Sequence, residues 1–316
     1  MTATPRLSIV IPTFNRPDLL RRCLETVTLH SPPATQVIVV DDAAPNRVVV
    51  DVVNDFPHAA HLRQPRRLGF AAAANAGIRA STGAIVELLN DDTEVQSGWA
   101  EAALAHFDDA TIGAVAPLVL SWPDGTRIDS AGDRYYRGGV AAKRGHGQPL
   151  DASFLQARPV FGASASSAFY RRAALERVGL FPESFGSYFE DVDLAFRLQR
   201  AGYGAMFEPA SRVLHHGGAS HRPERRLLGR QSLNEERVFW RNMPLASLPG
   251  ALPRHLLVLI GKGLRRWSEG TFWPFLWGRV RLLTEIPELL RHRRALTRLG
   301  GVGDWQVDDR YHASDV

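Results

Sequence analysis

Short apolar runs alternate with helical patterns through the first 118 residues of the chain. Four of these runs are rich in branched aliphatic residues, and two of them end directly in acidic side chains. Between the runs, residues such as Leu20, Leu24 and Val27 recur at helical spacing. Unbroken apolar strands that alternate with helices are typical of a mostly parallel sheet covered on both faces. We therefore predict an α/β, doubly wound fold with strands near residues 7–12, 36–40, 62, 84–89 and 112–118.

The chain changes character twice after residue 118. Residues 121–148 are rich in Gly, Asp and Arg and indicate an irregular excursion or a hairpin. A helix over 191–201 and short strands within 206–214 follow, and beyond about residue 220 the chain becomes Arg-rich with long helical segments. We predict an α/β domain over 1–220, with halves 1–118 and 119–220, and a helical region over 221–316.

Composition excludes several classes of protein. The single cysteine, Cys23, rules out an internal disulfide and a cysteine-based zinc or iron–sulfur site. Hydrophobic residues make up 45% and charged residues 22% of the chain, which is ordinary for a globular protein. No apolar run approaches the roughly 18 residues of a spanning helix, and the first run is too short for a signal peptide. We expect a cytoplasmic protein.

Acidic residues follow two of the predicted strands. Asp41 and Asp42 end the second run, and Asn90, Asp91 and Asp92 end the fourth. Ligands of an open parallel sheet bind beyond the carboxyl ends of its strands, so both clusters are expected at one crevice. Helix capping explains a single aspartate well, but two clusters favour a site. Carboxylates suit Mg²⁺ or Mn²⁺, which also takes substrate phosphate oxygens, and no glycine-rich phosphate loop follows the first strand.

A further acidic pair, Glu190-Asp191, opens the predicted helix after two aromatic residues. Interaction with the helix dipole is the structural explanation for such acids, and it suits Asp193. Burial beside Tyr188 and Phe189 would raise the pKa of a carboxyl group, and a general base needs a poised carboxylate. The histidine pair at 215–216 ends an apolar strand before two glycines, and we predict that one of the two binds the metal.

Several stretches, in this order and spacing, together resemble one known family. They are IVIPTFN at 9–15, VIVVDD at 37–42, the Leu-Gly-Phe and Ala-Asn-Ala-Gly elements within 68–77, LNDDTEV at 89–95, and the segments 161–172 and 185–197 before His215. Over residues 7–220 the chain resembles family 2 glycosyltransferases, the inverting nucleotide-sugar enzymes with the GT-A fold. The last segments are similar to the bacterial rhamnosyltransferase-like branch.

The resemblance implies a single displacement that inverts the anomeric carbon. It places Mg²⁺ or Mn²⁺ on Asp92 and His215, where the cation chelates the donor diphosphate. Asp191, with Glu190 as the alternative, takes the proton of the acceptor hydroxyl. The other residues implied are, for the nucleotide sugar, Pro12, Thr13, Phe14, Asn15, Arg16, Asp41, Asp42, Gly69, Asn75, Asn90 and Asp91, and, for the acceptor, Gly162, Ala163, Ser164 and Tyr188.

The expected partners follow from the same resemblance. The donor is dTDP-rhamnose or a UDP-sugar, and the acceptor is a bacterial cell-surface glycan or its lipid-linked precursor. A galactofuranosyl- or glucosyltransferase is an alternative of the same class. A nucleotidyltransferase that makes an activated sugar, and a non-catalytic glycan-binding module, are the alternatives from other classes. The missing glycine-rich loop speaks against the first and the intact acid clusters against the second.

The region beyond residue 220 is basic and aromatic. It holds 17 of the basic and 10 of the acidic residues, and five of the seven tryptophans. Interleaved tryptophans and arginines favour a helix that lies in a membrane interface, which predicts a peripheral protein at the inner face of the cell membrane. A helical cap and a homodimer seam are the alternatives. Nucleic acid is the least favoured partner, because no recognised binding motif accompanies the charge.

Overall fold

The computed structural model describes residues 6–217, 225–300 and 307–308 of the chain. It confirms the predicted α/β architecture. The strands are β1 (Leu7–Thr13), β2 (Gln36–Asp41), β3 (Ala59–Arg63), β4 (Ile85–Leu89), β5 (Thr93–Val95), β6 (Ile112–Ser121), β7 (Ile128–Ser130), β8 (Asp133–Tyr136), β9 (Val140–Lys143), β10 (Arg158–Val160), β11 (Ser167–Arg171) and β12 (Gly204–His215). The helices are α1 (Pro17–His30), α2 (Val48–Asn54), α3 (Phe70–Ala80), α4 (Trp99–Ala105), α5 (Arg172–Val178), α6 (Glu190–Arg200), α7 (Arg225–Asn242), α8 (Leu248–Ser268), α9 (Phe272–Arg281) and α10 (Ile286–Thr297).

One mixed, mostly parallel sheet forms the centre of the molecule. Its strand order is β10-β12-β6-β11-β4-β1-β2-β3, with β5 and β7 attached to β12 and β6. Strands β1 to β4 are mutually parallel, and β6 and β12 run the same way, whereas β11 is antiparallel between β4 and β6. The carboxyl ends of β1, β2, β4 and β12 therefore lie along one edge of the sheet, and the residues just before β11 lie there too.

Helices cover both faces of this sheet. Ile9 and Ile11 of β1 pack in one apolar core with residues of α1, α2 and α4, whereas Val10 packs in a second core with α3, α5 and α6. Alternation of side chains along a strand produces this division, since neighbouring residues point to opposite faces. Close approach of α3 depends on Gly77, because an added Cβ would lie only 2.2 Å from a methyl carbon of Val10.

The middle of the chain is more regular than its composition indicates. Residues 121–148 were predicted to form an irregular excursion or a hairpin, and the structure shows the hairpin: β8 and β9 pair antiparallel, and β7 pairs with β6. The prediction of short strands within 206–214 is wrong. Strand β12 runs unbroken beside β6 and absorbs the irregular residues as a shift of register between Glu208 and Arg212. A bulge of this kind keeps the pairing while it re-aims the end of the strand.

The first C-terminal helix packs onto the segment that precedes α6. Val238 and Phe239 of α7 share an apolar core with Phe185 and Phe196. The amide nitrogen of Asn234 donates hydrogen bonds to the backbone oxygens of Phe185, Ser187 and Tyr188 at 2.9–3.1 Å. Helix α7 therefore fixes the backbone around Tyr188.

The predicted boundary near residue 220 lies outside the described residues, as does Trp305. Among the helices described on either side of that gap, none is by itself long and apolar enough to cross a membrane. The segments Leu227–Asn242 and Leu245–Ser268 pass a test of length and hydropathy only as a pair bent by 106°.

One buried carboxyl group makes the stability of this core dependent on pH. Glu87 of β4 accepts hydrogen bonds from Trp99 Nε1 and Ser167 Oγ at 3.1 Å, and burial raises its pKa from 4.5 to about 8. Between those pH values the folded chain holds a proton that the unfolded chain has released, so stability falls as pH rises towards 8. We expect Glu87→Gln to remove on the order of 3 kcal/mol of this loss, as measured by urea unfolding at pH 5 and pH 8.

The exposed Glu25 on α1 offers a matched control. Glu25→Gln changes the same functional group without the burial, so it should leave the difference between pH 5 and pH 8 as it is in the parent chain. An equal pH dependence for the parent and for Glu87→Gln would show that Glu87 is ionised in the folded protein.

Candidate active site

An arginine and two aspartates form the centre of the site. Asp91 follows β4, and its Oδ2 accepts hydrogen bonds from Thr13 Oγ1 at 2.6 Å and from Arg16 Nε at 3.2 Å. Arg16 also forms ion pairs with Asp91 Oδ1 and with Asp92 Oδ2, the latter at 3.0 Å. Burial raises the pKa of Asp91 to about 6, although Arg16 and Thr13 oppose the rise. Arg16, in the loop after β1, thus supplies positive charge that partly neutralises Asp91 and Asp92, the carboxylates of the predicted metal motif.

Asp92 also contacts the histidine at the end of β12. His215 Nε2 lies 3.2 Å from Asp92 Oδ1, and His215 Nδ1 lies 3.2 Å from Asp129 Oδ2, which in turn accepts a 2.8 Å hydrogen bond from Lys143. Burial disfavours the charged imidazole, but the two aspartates outweigh it and raise the pKa of His215 to about 9. The same contacts with His215, together with the charge of Arg16, lower the pKa of Asp92 despite its burial.

The neighbouring histidine lies in a different environment. His216 Nε2 is 2.8 Å from Glu94 Oε1, and its ring stacks on Trp122 with 4.5 Å between centroids. Of the two histidines, the structure therefore brings His215 to the acid cluster, as the sequence predicted.

The donor set at Asp92 and His215 fits a hard divalent cation. Asp92 Oδ1 is buried and accepts no well-aligned hydrogen bond within the described ranges, and it faces an imidazole nitrogen. A carboxylate oxygen and an imidazole suit Mn²⁺ or Mg²⁺, which completes its coordination with water and substrate phosphates. No set of three or more His, Cys, Asp or Glu ligands occurs among the residues that the structure describes. Asp92 and His215 would therefore supply part of the coordination shell of such a cation.

The second carboxylate pair lies at the start of α6. Asp191 Oδ2 accepts a 3.0 Å hydrogen bond from the backbone N–H of Ala165, and Oδ1 accepts one from Val192 at 2.9 Å. The preceding residues Tyr188 and Phe189 have φ of 74° and 68°, in the left-handed region that costs energy for non-glycine residues. Such strained conformations persist where the fold requires a particular orientation of the backbone. Here they set the direction in which the first turn of α6 begins.

The two members of this pair lie in different environments. Glu190 is almost fully buried and its Oε2 has no hydrogen-bond partner among the described residues, whereas Asp191 is partly exposed. Burial and the charge of Asp191 raise the pKa of Glu190 to about 8, and burial also raises the pKa of Asp191. The two backbone N–H groups that donate to Asp191 favour its ionised form, and its partial exposure leaves it accessible, so Asp191 is the better placed member of the pair to act as a general base.

The predicted acceptor segment joins the two halves of the site. Ser166 accepts a 3.0 Å backbone hydrogen bond from Asn90, one residue away from the Ala165 that binds Asp191. Within this segment Gly162, Ala163 and Ser164 are buried. Gly162 and Ala163 line a narrow cavity with Asp191 and Tyr170, and the half-buried Tyr188 lies before α6. The backbone of 162–166 thus positions Asp191 beside the end of β4.

The residues predicted at the nucleotide end lie at the ends of β1 and β2. Asp41 accepts hydrogen bonds from the backbone N–H of Ala44 at 2.7 Å and from Arg63. Asp42 accepts backbone hydrogen bonds from Leu68 at 2.7 Å and Gly69 at 2.9 Å. These bonds tie together the loops after β2 and β3.

The loops after β1 and β3 also meet through a cation–π contact. The guanidinium of Arg67 lies 3.8 Å from the centroid of the Phe14 ring. Within the same stretch Asn15 takes a left-handed φ of 54°, and Pro12 pairs with Val40 inside the sheet. The contact with Arg67 therefore fixes the aromatic ring of Phe14 near the residues predicted to bind the nucleotide.

Asn75 does not join these residues. Its amide nitrogen donates to Phe181 O at 2.9 Å and Glu183 Oε1 at 3.0 Å, and its oxygen accepts from Phe181 N at 3.0 Å. Both amide hydrogens are therefore used within the protein, and the side chain is 2% exposed. In this structure Asn75 anchors the segment before α6 to α3, in place of the predicted contact with the nucleotide.

Three charged residues of the site escaped the sequence analysis. Asp129 and Lys143 join His215 as described, and Asp133 is buried near Asp191, whose charge adds to burial in raising its pKa. All three lie in the stretch 121–148, where charged residues are frequent and no local pattern separates these from the rest. Only the pairing of β7 and of the β8–β9 hairpin brings them to the site.

Comparison with known proteins identifies the family. Residues 8–179, more than half of the chain, match the family described as Glycosyl transferase family 2. The chain is 31% identical over 276 residues to the pre-mycofactocin glycosyltransferase of Mycobacterium tuberculosis, over 83% of this chain and 54% of that protein. It therefore spans about half the length of that curated relative. It is also 28% identical to the N-acetylglucosaminyl-diphospho-decaprenol L-rhamnosyltransferase of the same organism, over 83% of this chain and 95% of that protein.

Solved structures show the same fold at low sequence identity. A mannosyltransferase from Pyrobaculum calidifontis, solved with GDP-Man and Mn²⁺, superposes with a TM-score of 0.57 and 19% identity over 94% of this chain and 85% of its own. GalNAc-T7, solved with UDP, GalNAc and Mn²⁺, superposes with a TM-score of 0.59 and 17% identity over 75% and 48% of the two chains. The chain thus belongs to glycosyl transferase family 2 and has the GT-A fold.

Proposed function

We propose that this protein is an inverting glycosyltransferase that moves a sugar from a nucleotide-diphosphate donor to an acceptor hydroxyl. One observation carries the proposal: a cluster of Arg16, Asp91, Asp92 and His215 lies at the strand ends, joined through the 162–166 backbone to the carboxylate of Asp191. The cluster would bind the diphosphate of a donor, and Asp191 would act as the general base, at the same edge of the sheet. In a family 2 chain this arrangement favours transfer from an activated sugar.

The residues divide the chemistry between them. Asp92 and His215 would hold Mn²⁺ or Mg²⁺, which when bound offsets the negative charge of a diphosphate leaving group. Arg16 keeps Asp91 and Asp92 oriented and adds positive charge on the phosphate side. The loops fixed by Asp41 and Asp42, with the Phe14 ring, face the base and ribose.

Asp191 takes the proton of the acceptor hydroxyl as its oxygen attacks the anomeric carbon. The bond from that carbon to the diphosphate oxygen breaks, and its electron pair leaves with the nucleoside diphosphate. Because attack and departure occur on opposite faces, the configuration inverts. Glu190 is protonated at neutral pH, so it adds no second negative charge beside Asp191.

The proposed donor is dTDP-rhamnose or a UDP-sugar, and the proposed acceptor is a bacterial cell-surface glycan or its lipid-linked precursor. Similarity to the mycobacterial rhamnosyltransferase over nearly its full length supports this choice. A galactofuranosyl or glucosyl donor is the alternative within the same class. The family match supports neither the nucleotidyltransferase nor the glycan-binding alternative.

Thermal unfolding with a panel of nucleotide sugars tests the proposal. With Mn²⁺ or Mg²⁺ present, the true donor should raise the melting temperature progressively, since a ligand at 100 times its Kd stabilises by about 2.7 kcal/mol. The panel contains dTDP-rhamnose, UDP-galactose, UDP-glucose, UDP-galactofuranose and GDP-mannose, and proton NMR of the product then reports the anomeric configuration. No stabilisation by any member, or a product with retained configuration, would contradict the proposal.

A further inference from the structure

Helix α8 exposes an apolar face that nothing in the described chain covers. At 100° per residue, five large apolar side chains fall within an arc of about 100° on this helix. Leu257 is 70% and Trp267 67% exposed, so these side chains stand in solvent rather than in a shallow groove. The five residues are Leu256, Leu257, Ile260, Leu264 and Trp267.

The exposed face continues onto the next two helices. Trp273, Trp277 and Val280 recur at i, i+4 and i+7 on α9, and Trp277 is 69% exposed. Phe272 connects the two helices, with ring centroids 5.3 Å from Trp267 and 5.6 Å from Trp273. Ile286 and Leu290 add an i, i+4 pair on α10. We call these ten residues the apolar face of α8–α10. Isolated exposed apolar side chains are ordinary, but a set that runs from α8 to α9 through Phe272, with a further pair on α10, marks an interaction surface.

Exposed arginines flank this face. Arg281 follows Trp277 at i+4 on α9, and Arg294 follows Leu290 at i+4 on α10, so each lies beside an apolar member. Arg291 is exposed on α10 as well, whereas the exposed acid of that helix, Glu288, lies well over 100° away from Ile286 and Leu290. Arg279 points inward and pairs with Glu235. At the end of α8 the exposed Glu269 pairs with both Arg265 and Arg266, so the net charge beside the apolar face is positive.

We infer that the apolar face of α8–α10 docks the protein on an anionic lipid bilayer. Tryptophan and leucine side chains enter the headgroup boundary while neighbouring arginines meet lipid phosphates, as in interfacial helices generally. A second copy of the chain fits less well. A two-fold interface brings the same patch against itself, so Arg281 and Arg294 would face like charges. The inference does not depend on the proposed function, because it uses no residue of the active site.

The inner side of the same helical region limits how freely the face can move. Phe275 of α9 is buried, its carbonyl accepts a 2.6 Å hydrogen bond from Ser232 of α7, and α7 binds the backbone around Tyr188 through Asn234. Lys262 of α8 and Arg279 of α9 both pair with Glu235 of α7. Docking would thus hold the catalytic domain in a fixed orientation on the membrane, as an acceptor with a lipid anchor requires.

Co-sedimentation with vesicles tests the inference on the full chain. Vesicles of equal phosphatidylcholine and phosphatidylglycerol should carry the protein into the pellet at low salt, less of it at physiological salt, and vesicles of phosphatidylcholine alone should carry little. Arg281→Gln with Arg294→Gln should lower the partition coefficient about fivefold per arginine, or roughly twenty-fivefold together, the equivalent of about 1 kcal/mol each. Trp273→Ser with Trp277→Ser should lower it at least tenfold.

Leu29→Ser with Leu155→Ser is the matched control, because both leucines are exposed outside the apolar face of α8–α10. The control should bind vesicles as the parent chain does, and unchanged melting temperatures would show that all variants fold. Retention in the supernatant at low salt would overturn the inference. Light scattering would overturn it as well if the parent chain is a dimer and Trp273→Ser with Trp277→Ser is a monomer. The apolar face would then be a dimer seam. Donor binding needs none of these residues, so it distinguishes failure here from failure of the proposed function.

Discussion

Asp191→Asn is expected to reduce turnover by about 10²–10⁴-fold, the usual contribution of a general base, while donor affinity stays within a few fold. The amide keeps the size of the side chain and an oxygen that can accept from Ala165, but it cannot take the proton of the acceptor hydroxyl. Single-turnover rates and calorimetric donor affinity, measured on the same preparation, separate the two effects. The rate of the parent chain should also rise with pH, because burial raises the pKa of Asp191, and this rise should be lost in the variant.

Glu190→Gln provides the comparison. If Glu190 holds the proton at neutral pH, an amide resembles its normal state, and this variant should lose far less activity than Asp191→Asn. The reverse order of effects would move the role of base to Glu190. Near-parental rates in both variants would exclude the pair as the source of the base.

Asp92→Ala is expected to weaken nucleotide binding in the presence of Mn²⁺ by roughly 10²-fold or more, and His215→Ala should act in the same direction. The reason is the proposal that Asp92 Oδ1 and His215 Nε2, which lie 3.2 Å apart, would together hold a cation shared with the diphosphate. Asp129→Asn should cost about tenfold, because it removes the carboxylate that orients the imidazole. Calorimetry with UDP or dTDP measures each affinity, and a chelator should bring the parent chain down to the level of Asp92→Ala.

His216→Ala is the matched control for the metal ligands. Its imidazole binds Glu94 and stacks on Trp122, so its loss should change nucleotide affinity by less than about twofold. Equal losses of nucleotide affinity in His215→Ala and His216→Ala would contradict the assignment of the metal-binding role to His215. An Asp92→Ala variant with parental affinity would exclude Asp92 as a metal ligand.

The sequence predicted the fold well because unbroken apolar runs and helical patterns report burial directly. Ile9, Val10 and Ile11 are three consecutive apolar residues, and the structure buries them on both faces of the sheet. Chain direction then determined where the acids lie. Residues that follow parallel strands must share an edge, so Asp42 and Asp91, which follow different strands, were predicted at one crevice.

The tertiary structure decided which groups complete that site. Asp129 lies 86 residues from His215 in sequence, and only the pairing of β7 with β6 and of β12 with β6 brings them to 3.2 Å. No periodicity encodes such a distance, because hairpin register depends on contacts between segments. For the same reason the sequence could not show that Asn75 anchors the segment before α6, or that Arg16 pairs with both Asp91 and Asp92.

The C-terminal region divides in the same way. The sequence showed its basic and aromatic composition. That composition was compatible with three interpretations: a membrane contact, a helical cap and a dimer seam. The structure shows that α7 packs against the segment before α6, while Trp267, Trp273 and Trp277 stay exposed. Composition determines how much apolar surface a helix carries. Whether that surface is buried depends on which neighbours reach it, and neighbours exist only in the folded chain.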